Sequence, residues 1–179
     1  MTREFIYDQI RQFRLAVLAT TSGDHQPEAA VVGIAITREL EIVFDTVRSS
    51  RKYHNLIAQP KVALVIGWKN ETTIQFEGEV VELGSKGGAD RGIGEVSGGI
   101  GEASGGIGEA SGERSGADRE KYEVVREKYE AYLETYYAVF PDGRERAATW
   151  EGLTHFVIRP RWIRYSNFNE PVRIEELRF

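Results

Sequence analysis

The chain has 179 residues, of which 41% are hydrophobic and 28% charged, the composition of a globular protein with its own core. The net charge of -5 argues against general nucleic-acid binding, and the absence of cysteine excludes disulfides, thiolate metal sites and cysteine nucleophiles. No apolar run approaches the roughly 20 residues of a membrane span, and the charged N-terminus lacks the apolar stretch of a signal peptide. We therefore expect a single domain over residues 1–179 in the cytoplasm, with neither nucleic acid nor a membrane as partner.

The first part of the chain predicts a short helix followed by three strands. Phe5, Ile6 and Ile10 predict an amphipathic helix, for which Thr2 is a candidate N-cap. Strand patterns follow over residues 15–20, 27–36 and 40–45, and the short link between the last two suits a hairpin.

The rest of the chain adds strands and two helices. Ser49 or Ser50 can cap a helix that runs to about Gln59, where Pro60 ends it. Further strands are predicted over residues 62–68, 72–83, 154–166 and 172–177, with Pro160 marking an edge or bulge. A helix is predicted from residue 121 to about 139, and the Pro-Asp-Gly sequence at 141–143 terminates it. This pattern predicts a mainly β (α+β) fold, a barrel of about six antiparallel strands with peripheral helices, rather than a doubly wound sheet.

A glycine-rich repeat interrupts the pattern. GIGEVSG is followed by two copies of GIGEASG over residues 92–112, within an insertion that we place at residues 84–117. A flexible loop is the favoured interpretation, because glycine opposes helix formation. A dinucleotide fingerprint, which needs one tight turn directly after a strand, and a heptad coiled coil are the less favoured alternatives.

The segment VFDTVRSSRKYHNL, residues 43–56, carries the clearest chemical signal. Arg51 and Lys52 fall in the first turn of a predicted helix, where the partial positive charge of the N-terminus favours anions rather than cations. A bound phosphate would reverse this cost, and Ser49, Ser50 and Thr46 could add hydroxyl donors. Ordinary solvated cations behind a serine cap are the alternative explanation.

The order of the segments resembles a known family. LAVLATTSGDHQPEAAVVGIAI, LEIVFDTVRSSRKYHNLIAQPKVALVIGW and TTIQFEGEVVEL are similar to the pyridoxamine-5'-phosphate-oxidase-like family of FMN-binding split barrels. The similarity covers roughly residues 14–83 and resumes over 141–168. The resemblance implies a homodimer with FMN at the subunit interface and a small-molecule substrate.

The resemblance also implies which residues bind the cofactor. Arg51 and Lys52 match the pair that grips the FMN phosphate, and Ser50 precedes them as in the family pattern. The other matches are Asp45 and Thr46 at a strand end, Val32 and Gly33 along the isoalloxazine ring, Thr73 and Gln75 near the ring or phosphate, and Tyr165 as an aromatic residue from the other subunit.

Other aromatic and histidine residues carry weaker signals. The tyrosines that fall roughly on one face of the long helix are expected to pack against the barrel or a dimer partner: Tyr122, Tyr129, Tyr132, Tyr136 and Tyr137. Trp68, Trp150 and Trp162 are expected in the core, with shaping of the flavin cleft as the alternative. His25, His54 and His155 are too scattered for a metal motif, so no metal site is expected.

The chain departs from true pyridoxamine-phosphate oxidases at the substrate residues. Ala30 and Ala35 stand where those enzymes carry arginine and lysine, and RWIRYSNFNEPVRIEEL replaces their W-x-x-x-x-R-L-H signature. Vitamin B6 oxidation is therefore not expected, and no catalytic residue is assigned. The expected function is an FMN-dependent oxidoreductase acting on an unidentified small molecule. A non-enzymatic flavin- or haem-binding protein of this fold, a deazaflavin-dependent reductase and a barrel without cofactor remain alternatives.

Overall fold

Eight strands form one antiparallel sheet in the computed structural model, which describes residues 1–83 and 116–179, the latter with the backbone alone for 116–126. The strands are β1 (Leu15–Thr21), β2 (Pro27–Gly33), β3 (Ala35–Ile36), β4 (Ile42–Val47), β5 (Lys61–Ile66), β6 (Thr72–Leu83), β7 (Leu153–Asn167) and β8 (Arg173–Arg178). The helices are α1 (Arg3–Ile10), α2 (Arg51–Ala58), α3 (Gly116–Val139) and α4 (Gly143–Thr149). The mainly β fold predicted from the sequence is confirmed.

The strand order makes the sheet curl into a split barrel. The order is β2-β1-β5-β6-β7-β4-β3, with β8 added to β7. The two end strands, β2 and β3, are consecutive in the chain and separated only by Ile34, whose amide donates to Arg14 O at 2.9 Å. One predicted strand, 27–36, therefore pairs with β1 through its first part and with β4 through its last. Because a single residue joins the two ends of the sheet, a seam forms where β2 faces β4.

The barrel interior follows from the alternation along the strands. In β5, for example, Val62, Leu64 and Ile66 point inward and are buried, whereas the residues between them are exposed. Helix α1, capped by Thr2 as predicted, adds the fully buried Ile6 and Ile10 to the same core. Burial of this apolar surface is the main term that stabilises the fold.

A second apolar cluster lies outside the barrel, under helix α3. Tyr132, Tyr136 and Tyr137 are buried there against Val43 and Val157 of the sheet, which confirms the predicted packing of these tyrosines. The Tyr132 hydroxyl donates to Glu41 at 2.6 Å, which satisfies two polar groups in this contact. The side chain of Tyr122 lies outside the described residues.

Two local features sharpen the sequence interpretation. Pro160 pairs with Gly78 at a register shift in β6–β7, which confirms the predicted bulge. Helix α4 was not predicted, because its seven residues are too few to show a helical period. Residues 84–115, which carry the repeat, lie outside the described part of the chain, and residues 116–117 of the expected insertion already belong to α3. In that described part, no helix is long and apolar enough to cross a membrane.

Candidate functional site

Helix α2 begins with the serine that the sequence singled out. Ser50 is the N-cap, with an extended backbone (φ -79°, ψ 148°), and its hydroxyl accepts the Tyr53 N–H at 3.3 Å. The first turn holds no acidic side chain and instead begins with Arg51 and Lys52. The positive end of this helix is therefore reinforced by cations of its own.

Three polar side chains converge at this helix start and form what we call the polar cluster, Thr46, Ser50 and Lys52. The Thr46 and Ser50 hydroxyls are hydrogen-bonded at 3.0 Å, and Lys52 Nζ donates to Thr46 Oγ1 at 3.5 Å. Thr46 comes from the end of β4 and is buried, so the strand and the helix start hold each other in register. The cluster thus places one ammonium group and two hydroxyls at the junction of β4 and α2.

A cleft opens from the polar cluster along the barrel seam, and we call it the seam cleft. It encloses about 220 Å³. Its walls come from β2, β4, the start of α2, the residue that follows α4 and the first residue of β7: Val31, Val32, Gly33, Asp45, Thr46, Val47, Lys52, Trp150 and Leu153. The walls combine the polar cluster with aliphatic and aromatic side chains, which suits a ligand that carries an anionic group on an apolar body.

Arg51 is placed differently from Lys52. It is 81% exposed and pairs with Glu28 of β2, donating from Nε at 3.1 Å and from Nη2. Asn55 Nδ2 donates to the same carboxylate and to Thr20, both at 3.0 Å. The hydrogen bond from Arg51 lowers the pKa of Glu28, despite an opposing contribution from desolvation. Of the two predicted phosphate-binding cations, Lys52 lines the cleft and Arg51 neutralises a neighbouring carboxylate.

Asp45 lines the cleft and contacts Arg146, which in turn lies beside the hydroxyl of the buried Tyr136. Its carboxylate accepts from Arg146 Nη2 of α4 at 3.2 Å, and the same nitrogen lies 3.4 Å from the Tyr136 hydroxyl. Burial, with Asp45 beside the ring, raises the pKa of Tyr136. His155 is the strand partner of Asp45 and lies against the rings of Tyr136 and Tyr137. Burial lowers the pKa of His155, so the imidazole is neutral under α3.

The predicted site residues on β6 and β7 do not line the seam cleft of their own chain. Thr73 pairs with Ser166 and Gln75 with Arg164, and Gln75 is exposed on the outer side of the sheet. Tyr165 is buried in the barrel core, with the Phe5 ring edge-on at 5.1 Å. The structure therefore brings together Val32, Gly33, Asp45, Thr46 and Lys52, with Ser50 hydrogen-bonded to this group.

Several residues of the site carried no recognised signal in the sequence. Glu28 was not considered, and only its position next to Arg51 reveals its role. Arg146 belongs to the helix that was not predicted, although Asp142 four residues earlier is a helix-type ion-pair spacing. Trp150, expected in the core, is instead 55% exposed on the cleft.

An exposed apolar surface, which we call the outer face, continues from the cleft across the sheet. Val17 of β1 pairs with Val31 on one side and Val65 on the other, and in the next row Ala19 pairs with Ala29 and Ala63. Val31 is 62% exposed and Val65 39% exposed. The outer face therefore presents adjacent small and aliphatic side chains from β1, β2 and β5 to the surface.

The chain is similar in sequence to one known protein family. A family model described as pyridoxamine 5'-phosphate oxidase matches residues 2–131. A curated pyridoxine/pyridoxamine 5'-phosphate oxidase from Bordetella petrii is 33% identical over 79 residues, which cover 44% of this chain and only 38% of the relative.

Solved structures share the fold at low identity. A heme binding protein from Mycobacterium smegmatis matches with a TM-score of 0.64 at 10% identity, covering 99% of this chain and 58% of that protein. A Clostridium acetobutylicum protein related to general stress protein 26, of the pyridoxinephosphate oxidase family, matches with a TM-score of 0.59 at 10% identity, covering 100% of this chain and 97% of that one. Because the family model matches most of this chain, the chain belongs to the pyridoxamine 5'-phosphate oxidase family of split-barrel proteins.

Proposed function

We propose that this protein is a flavoprotein that binds FMN in the seam cleft and acts as an oxidoreductase on a small molecule. The observation that carries the proposal is the polar cluster, in which Lys52, Thr46 and Ser50 meet at the positive end of α2 and open into an apolar cleft. Helix N-termini with free donors and a nearby cation bind phosphate groups.

The donor set of the cleft fits a phosphate group at one end. The Lys52 ammonium and the Thr46 and Ser50 hydroxyls supply charge-assisted and neutral donors. A hydrogen bond to a charged group contributes about 1.5–3 kcal/mol. Arg51 donates from Nε and Nη2 to Glu28, so this carboxylate offsets part of the positive charge that Arg51 offers to a phosphate.

The apolar part of the lining fits an aromatic ring. Val31, Val32, Val47 and Leu153 provide aliphatic walls to the cleft. In this proposal the chain binds and orients the cofactor, and FMN, when bound, supplies hydride or electron transfer. The absence of an assigned acid–base pair is compatible with such a division of labour.

We also propose that a second copy of the chain covers the outer face and completes the cleft. The outer face is apolar, and its residue Val31 is also a wall of the cleft, so the two surfaces are continuous. The 220 Å³ available in one chain is below the roughly 300–1,000 Å³ typical of ligand pockets. Thr73 and Gln75 keep their proposed cofactor roles in the setting of such a dimer. Tyr165 is buried in the barrel core, so we assign it no contact with the cofactor of a second copy.

Haem is the second candidate ligand, because a structural relative is a heme binding protein. Among the described residues that line the seam cleft, none is histidine, methionine, cysteine or tyrosine, the side chains that ligate haem iron. The described part of one chain therefore favours a phosphate-bearing flavin over haem.

Purification and titration test the proposal. We expect a yellow protein that releases FMN on denaturation, identified by its absorption spectrum and mass, which also distinguishes FMN from a deazaflavin. If the apoprotein is titrated, FMN should bind and hemin should not. A colourless protein that ignores added FMN would refute the proposed cofactor. Anaerobic reduction by a nicotinamide cofactor, followed by a substrate panel, then distinguishes an enzyme from a carrier.

A further inference from the structure

Trp150 presents an indole to the seam cleft. It follows α4 as the C-cap residue, lines the cleft together with Leu153, and is 55% exposed. An exposed indole on the wall of a cleft leaves a large apolar surface in water, and a ligand ring that covers it gains the free energy of burying that surface.

The backbone around Trp150 is held on several sides. The Trp150 N–H donates to Arg146 O at 2.8 Å, and the Trp150 carbonyl accepts from Leu153 N at 3.3 Å. Gly152 turns the chain with φ +72°, and its carbonyl accepts from Arg48 N at 2.9 Å, which ties the turn to the loop before α2. The backbone that carries the indole is therefore held in place, which is the first requirement for a residue that positions a ligand.

The Arg146 side chain holds α4 against the cleft. Its guanidinium donates to Asp142 at 2.7 Å and to Asp45 at 3.2 Å, and its central carbon lies 5.8 Å from the centre of the Trp150 ring. Asp45 therefore reaches Trp150 through Arg146. This relay gives Asp45, which the family resemblance implies to lie beside the cofactor, a positioning role as well.

We propose that Trp150 is a specificity-determining residue of the seam cleft, which stacks on the planar aromatic ring of the bound cofactor, and that Asp45 and Arg146 position it. This inference rests on the proposed function in taking FMN as the ligand. The chemistry it requires is more general: a flat aromatic ring joined to an anionic group that lies at the polar cluster.

Paired ligands and paired variants test the stacking. Trp150→Ala should weaken both FMN and riboflavin by about tenfold, since stacking involves the ring and not the phosphate. Trp150→Phe should retain most of the affinity. Trp68→Ala is the matched control, because Trp68 is 57% exposed but does not line the cleft, and it should change neither ligand.

A spectroscopic readout distinguishes contact from mere stability. An indole in contact with a flavin quenches its fluorescence by electron transfer, so bound FMN should be brighter in Trp150→Phe than in the parent or Trp68→Phe. Arg146→Gln should raise the emission of bound FMN part of the way, and Arg146→Lys should return it toward the parent. Emission of Arg146→Gln equal to that of the parent, with Trp150→Phe brighter, would overturn the positioning roles of Arg146 and Asp45. Equal emission of Trp150→Phe and the parent would overturn the contact between Trp150 and the flavin.

The outcomes separate this inference from the proposed function. If the parent binds FMN and Trp150→Ala binds it equally well, the role of Trp150 is refuted while the function stands. If the parent binds hemin but not FMN, and Trp150→Ala weakens hemin about tenfold, FMN is refuted and the stacking role survives. A parent that binds none of FMN, riboflavin and hemin refutes both.

Discussion

Arg51 Nε donates to Glu28 Oε1 at 3.1 Å, so the first cation of α2 is paired with a carboxylate of β2. The next residue, Lys52, lines the cleft beside Thr46. Two adjacent cations that look equivalent in the sequence therefore have different partners. This difference gives the first two predictions their direction.

Replacing Lys52 should impair phosphate recognition more than replacing Arg51. Lys52→Ala removes the ammonium of the polar cluster and should weaken FMN binding by about 1.5–3 kcal/mol, the range for hydrogen bonds to charged groups. Riboflavin, which lacks the phosphate, should bind as before. Titration of the apoprotein with both ligands measures this, and Lys69→Ala, at an exposed turn, is the control. An equal loss for both ligands would contradict the phosphate assignment.

Glu28→Gln should tighten FMN binding. The substitution removes a negative charge near the proposed phosphate position and frees Arg51 to act as a further donor. Because the ion pair is exposed, we expect a gain of only about two- to fivefold. The gain should shrink at high salt and be absent for riboflavin, whereas Glu39→Gln, at the exposed turn between β3 and β4, should change the binding of neither ligand. Weaker FMN binding would mean instead that Glu28 is needed to position Arg51.

Gly33→Ala should destabilise the cleft wall. A Cβ at this position would lie 2.8 Å from Phe140 Cζ, and the Phe140 ring is held by a stacked Tyr136 and by the Arg14 guanidinium. Overpacking of this kind costs about 1–3 kcal/mol, measurable by urea denaturation. Gly23→Ala, whose Cβ would meet nothing within 4 Å, is the control. Equal stability of the two variants would show that Phe140 moves freely.

Buried His155 should make stability fall as the pH drops below neutrality. Burial lowers its pKa from the usual 6.5 in the folded state, so the unfolded chain binds the proton more readily. Stability from the neutral imidazole is thus complete above about 6.5 and is lost as the pH falls from there toward the lowered pKa. Unfolding free energies at pH 7.5 and 5.5 should differ less in His155→Gln than in the parent. His54→Gln, at an exposed position, should keep the parental difference.

Val65→Glu should separate the proposed dimer. Val65 lies in the middle of the outer face, between Val17 of β1 and Gln75 of β6, so the substitution would bury an unpaired carboxylate between subunits. Sedimentation should show a monomer, with the dimer dissociation constant raised by at least about tenfold. Val172→Glu, at an exposed position outside this face, should leave the assembly unchanged. A dimer that persists in Val65→Glu would place the interface elsewhere.

The positions of the strands along the chain and the chemistry at the start of α2 could be predicted from local sequence. Alternation along residues 62–66 and 72–83, the Ser50 cap and the bulge at Pro160 all follow from periodicity or from backbone chemistry. Such features depend on residues only a few positions apart, which is why the pattern alone predicts them. Helix α4 was not predicted because its seven residues span only about two turns.

The pairing of the site residues was decided by the tertiary structure. Ser50, Arg51 and Lys52 were identified from the sequence as one phosphate-binding run, but Glu28 lies 23 positions before Arg51 and Asp45 lies 101 before Arg146. No periodicity links residues so far apart, because their contact depends on how the curled sheet brings β2 and α4 to the start of α2. The sequence by itself determined which elements form and where an anion would be favoured. The closure of the barrel at Ile34 brings β2 beside β4 and the start of α2, and this contact decided that Arg51 pairs with Glu28 while Lys52 lines the same cleft as Trp150.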